Sequence, residues 1–118
     1  MAASKNDAYL AWAEWGEALR MSDVPRIRSA HPDISVETAE AYVIEFKALA
    51  RLMSDLSEAG GGHRLGNDRV AKYVRARFPF LEESGMNKVL TLIDYYAWHD
   101  GYHDSPNLTI DLDEKPGA

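Results

Sequence analysis

Cysteine is absent from this chain. A disulfide framework, a thiolate metal site and a cysteine nucleophile are therefore excluded. The absence suits a reducing compartment. Long apolar runs are also missing, and nothing approaches the roughly 18 consecutive apolar residues of a membrane span. The opening stretch, MAASKNDAYL, holds no apolar core of a secretory signal. The expectation is a soluble, cytoplasmic protein with no membrane partner. Two phosphate- and ester-handling templates fail as well. GGGHRLG, 60–66, lacks the lysine–serine end and the preceding strand of a phosphate loop, and no G-x-S-x-G elbow occurs. Basic charge is in short supply. Lysine and arginine number 13 against 19 aspartates and glutamates, for a net charge of −6. Such a chain is a poor general binder of nucleic acid.

What is present is a globular composition. Hydrophobic residues make up 46% of 118 residues and charged ones 27%, enough to bury a core in one domain. Charge is unevenly placed. Residues 60–93 carry six basic and three acidic groups, whereas 94–118 carry one basic and six acidic groups. A basic island thus precedes an acidic end.

Apolar spacing predicts an all-α fold, a compact bundle of four to five helices around a long central one. The first helix spans 6–21, capped by Asn6 or Asp7, with Ala8, Trp12, Trp15 and Leu19 on one face. Residues 22–34, with Pro25 and Pro32, read as an irregular connector. The central helix spans 35–59. Ser35 caps it, Ala39, Val43, Phe46, Ala50 and Met53 form one apolar stripe, and Tyr42, Leu49 and Leu56 a second. Gly60–Gly62 read as a flexible joint. A third helix spans 67–78, capped by Asn67 or Asp68 and stopped by Pro79. A fourth spans 84–100, with Ser84 as cap and Met86, Val89, Leu90, Ile93, Tyr96 and Ala97 on its buried face. Residues 1–104 form the expected helical domain, and 105–118 an acidic, partly disordered tail in which NLTIDL could extend.

Three groups of residues are candidates for function. The stretch AWHDGYHD, 97–104, sets two His-Asp pairs four residues apart. An uninterrupted helix would put His99 and His103 on one face, the spacing that shares a metal ion between two imidazoles. Gly101 sits where a helix would end, however, and His31 and His63 fall in loops, so a metal-dependent enzyme is the third reading and no metal or cofactor is expected. The basic island is the second group. At roughly 100° per residue, Arg69, Lys72 and Arg75 form a cationic stripe opposite Val70, Tyr73 and Val74, with Arg64 nearby. A solvated face paired with the chain's own acidic tail is one reading. A helix-turn-helix over 64–88, with Asn87 and Lys88 at the reading end, is the other. Its turn is long, and Glu82 and Glu83 would repel phosphate.

The third group lies on the nominally polar face of the last helix. Thr91, Asp94, Tyr95 and Trp98 share that side, and Tyr and Trp are enriched at binding hot spots. Unless the tail covers them through Leu108 and Ile110, they make a partner surface. The expected function is a small, non-enzymatic protein-interaction module: an adaptor, inhibitor or regulator bound to a protein partner or a second copy. Small, acidic, cysteine-free chains are common among inhibitors carried by phages and mobile elements. A nucleic-acid-binding regulator is the alternative.

Overall fold

A computed structural model of the chain describes residues 3–14 and 21–116. The described residues are all-α, with six helices and no strand. In chain order they are α1 (Lys5–Trp12), α2 (Asp23–Ala30), α3 (Val36–Glu58), α4 (Gly61–Leu65), α5 (Asn67–Arg77) and α6 (Glu83–His99). The long central helix is α3, at 23 residues. The chain divides into two compact units, Met1–Ala48 and Leu49–Ala118, and α3 contributes residues to both. No helix of the described residues is long and apolar enough to cross a membrane.

In the first unit, α1 starts earlier than expected. Ser4, not Asn6 or Asp7, is the cap, and its hydroxyl accepts a hydrogen bond from the Asp7 N–H at 3.1 Å. Asn6 is buried instead. Trp15 and Leu19, expected on the same helical face, lie outside the described residues. The proline-containing connector also departs from expectation, because α2 forms inside it. Pro25 is the third residue of that helix, where the backbone N–H would have no partner within the helix, so its missing donor costs nothing. Ile27, Ile34, Ala39 and Val43 are buried, and Phe46 is enclosed by rings. The centroids of Tyr9, Trp12 and Tyr42 lie 5.4, 5.7 and 5.9 Å from that of Phe46. Polar clamps close the rim. Trp12 Nε1 donates to Asp23 at 2.9 Å, Lys47 pairs with Asp23 at 3.1 Å, and Lys5 pairs with Glu45. The Trp12 donor, aided by Lys47 and Arg26, holds the Asp23 carboxyl below its usual value against a smaller opposing effect of burial.

In the second unit, the last turns of α3 meet α4, α5 and α6 around an aliphatic interior. Leu49, Leu56, Val70, Val74, Val89, Ile93 and Ala97 are essentially inaccessible. Leu49 and Leu56 of the second stripe are buried as expected, whereas Ala50 of the first is exposed. The buried Ser57 hydroxyl lies 2.9 Å from the Met53 carbonyl and 3.0 Å from that of Ile93, and donates between them. That bond ties α3 to α6 at one register. The glycines expected to form a joint instead make the single-turn helix α4. Gly61 has a φ of +63°, which favours glycine, and a Cβ on Gly62 would meet Asn67 Oδ1 and force that side chain to move. Gly66, not Asn67 or Asp68, caps α5, and Ser84 falls inside the first turn of α6 rather than before it.

Candidate interaction surfaces

Helix α6 ends at Gly101, whose φ of +81° only glycine adopts readily. The Gly101 N–H donates to the Trp98 carbonyl at 3.2 Å, and the Tyr102 N–H to that of Ala97 at 2.8 Å. These are the two bonds of a Schellman cap. The cap turns the chain before His103, so His99 and His103 do not share a helical face. His99 Nδ1 lies 3.0 Å from Asp100 Oδ1. The His103 ring stacks on His63, with centroids 4.6 Å apart, and its Nε2 is buried without a hydrogen-bond partner among the described residues. Among those residues no group of three or more His, Asp or Glu side chains is placed to hold an ion. Desolvation, followed by the charges of Glu58 and Asp100, pushes the neighbouring Tyr102 phenol up.

One turn back along α6 stand the aromatic residues. Trp98 is 65% exposed and Tyr95 45%, with Thr91 exposed beside them. Tyr95 organises the group: its ring lies 5.2 Å from Tyr96 edge-on, 6.2 Å from Trp98, and 5.7 Å from His99 in a stack. Tyr96, expected in the core, is 38% exposed and belongs to this cluster. Neighbouring rings hold one another, so the cluster is partly ordered before anything binds it. The tail does not cover it, because Leu108 is itself exposed and residues 107–108 bond elsewhere. Asp94 differs from the expectation for this face. Its carboxylate accepts the Gly62 N–H at 2.7 Å and caps the start of α4. It is a structural residue of the bundle, and it leaves the rings without an adjoining charge on that turn.

The second surface is the cationic face of α5. Arg69, Lys72 and Arg75 are exposed along it, as the spacing predicts. Arg69 pairs with Asp113 at 3.7 Å. Arg77, on the apolar side of α5, lays its guanidinium 3.5 Å over the Tyr73 ring and donates to the carbonyls of Tyr73 and Glu114. Arg64 is turned away from this stripe and donates to the His103 carbonyl at 3.0 Å. On α6, Asn87 is exposed and Lys88 half-buried, and the exposed carboxylates Glu82 and Glu83 precede them. Of the helix-turn-helix residues, Arg64 thus turns to His103 and Arg69 meets the tail.

No family model, no curated protein and no solved structure matches this chain.

Proposed function

We propose that the protein is a small, non-enzymatic interaction module, an adaptor, inhibitor or regulator that works by protein–protein contact through the exposed end of α6. The observation that carries this reading is Trp98, a large ring left 65% exposed beside the half-exposed Tyr95. A Trp on a polar helix face contributes little to the free chain but offers a large apolar anchor. Burying it in a partner pocket is worth roughly 2–4 kcal/mol, the range of a hot spot. A second copy of the chain is the first partner to test, since symmetric dimers are the commonest assembly of small proteins. The test is Trp98→Ala, followed by sedimentation and by thermal melting. Lost association at an unchanged melting temperature supports the reading. A large fall in melting temperature with association intact would return Trp98 to the interior.

A nucleic-acid-binding regulator is the second reading, favoured by one observation: Lys72 and Arg75 stand exposed on α5 with no ion pair among the described residues. Binding of duplex DNA by the intact chain, lost on replacing Arg69, Lys72 and Arg75 with alanine, would bring it forward.

A further inference from the structure

Residues 105–116 have no regular secondary structure, yet they are fastened at two places. At the root, the N–H groups of Asn107 and Leu108 both reach the Glu58 carbonyl, at 2.7 and 3.3 Å. Glu58 is the last residue of α3, and the N–H four residues on, that of Gly62, is engaged by Asp94. The tail therefore satisfies a carbonyl that its own helix leaves open. Further along, the chain folds into a turn. The Asp113 N–H donates to the Asp111 carboxylate at 2.9 Å and the Glu114 N–H to the Asp111 carbonyl at 3.2 Å.

This turn rests on the cationic face of α5. A groove of about 280 Å³ lies between them, with Arg69, Lys72, Tyr73 and Ala76 on one wall and Leu112 and Pro116 on the other. Leu112 is half-buried, and its neighbour Asp113 lies 3.7 Å from Arg69. The tail thus sits as a bound peptide would: one apolar side chain in the groove, a carboxylate on Arg69 and a main-chain carbonyl on Arg77. The grip is weak. The Arg69 and Asp113 side chains are 58% and 88% exposed, and an ion pair so open to water contributes little. Lys72 and Arg75 have no ion pair among the described residues, so the face has more cationic capacity than the tail uses.

We propose that the cationic face of α5 is a docking site for an acidic, leucine-bearing segment of a protein partner, and that residues 111–116 cover it in cis as an autoinhibitory strap. Tethering gives the strap a local concentration on the order of millimolar, which a free segment has to overcome. Loosening the strap uncovers the α5 wall of the groove, with Arg69, Lys72, Tyr73 and Arg77 left in place, and takes away the wall that Leu112 and Pro116 supply. The chemistry favours a peptide over a polyphosphate, because an apolar side chain, Leu112, and a main-chain carbonyl, that of Glu114 on Arg77, meet α5 beside the carboxylate of Asp113 on Arg69.

The experiment uses the full-length chain and a fluorescein-labelled synthetic peptide of residues 107–116, followed by fluorescence anisotropy. Leu112→Ser with Asp113→Ser loosens the strap and leaves it no charge to pair with residue 69, and that variant is expected to bind the probe at least about tenfold more tightly than the unaltered chain. Adding Arg69→Glu abolishes the gain. A probe in which Asp113 is replaced by lysine restores it in the Arg69→Glu background, a rescue that an unfolded variant would not give. Equal binding by the strap variant and the unaltered chain, or binding by neither, overturns the proposal. So does a strap variant that captures duplex DNA but not the probe, or one whose signal reflects pairing with a second copy's tail.

Discussion

The two units put aromatic residues to opposite uses. In the first, Tyr9, Trp12 and Tyr42 close around Phe46, and rings form the interior. In the second, valine, leucine and isoleucine fill the interior, Phe78 is the buried ring, and Tyr95, Tyr96 and Trp98 stand outside. Composition does not separate these roles. Helix phase does: α3 turns Phe46 toward its neighbours, whereas α6 gives its inner face to Val89, Ile93 and Ala97 and its outer face to rings. Rings that meet one another inside a unit hold it together, and rings that meet one another outside are left for something else.

The contrast can be broken by substitution. Phe46→Ala removes the ring at the centre of the first cluster and is expected to destabilise the chain by about 3–5 kcal/mol. Urea unfolding measures it, and a cost below about 1 kcal/mol would show that the cluster is not cohesive. Next comes Asp94→Ala, which strands the Gly62 N–H and should cost about 1–3 kcal/mol, with Asp94→Asn recovering most of it because the amide oxygen still accepts. Equal losses in both variants would remove Asp94 from its role at α4. Trp98→Ala, on the outer cluster, should stay within about 0.5 kcal/mol of the unaltered chain. A cost approaching that of Phe46→Ala would erase the distinction between the units.

The smallest effect is one of pH. Asp23 in the folded chain ionises below its usual value, chiefly because Trp12 donates to it. Its contribution to stability is therefore complete above the unfolded carboxyl value and fades as pH falls through the lower, folded one. Trp12→Phe removes the donor. Carbon NMR titration should then find the Asp23 carboxyl moved up, and an unmoved carboxyl would detach Trp12 from it.

Much of the fold was legible because its causes are local. Ser35 accepts the Thr38 N–H at 3.1 Å as a cap should, the apolar run after it spans the whole of α3, and Gly101 ends α6 where a C-terminal glycine belongs. The misreadings have physical sources. Proline breaks a helix interior, but the place of Pro25 in the first turn of α2 leaves no bond to break. Gly60–Gly62 read as a joint because the partner that orders them, Asp94, lies 32 residues away. The same distance hid the role of Asp94, which resembled a surface charge on its own helix. Tyr96 fitted the inner face by spacing, yet its ring turns outward onto Tyr95. The pairing of His63 with His103 joins segments 40 residues apart and leaves no local pattern. The charge map did better. A basic helix followed by an acidic end suggested that the two would meet, and Arg69 and Asp113 do.

Because Asp94 faces Gly62 rather than solvent, the ring cluster and the strap respond to dissolved ions with opposite sign. Two copies of the chain each carry −6, and electrolyte screens their repulsion over roughly 8–10 Å. If two copies pair through these rings, as proposed, that pairing is expected to tighten as ionic strength rises. The exposed Arg69–Asp113 contact weakens under the same screening. One change of medium is thus expected to favour the proposed pairing of aromatic faces while it loosens the tail from α5.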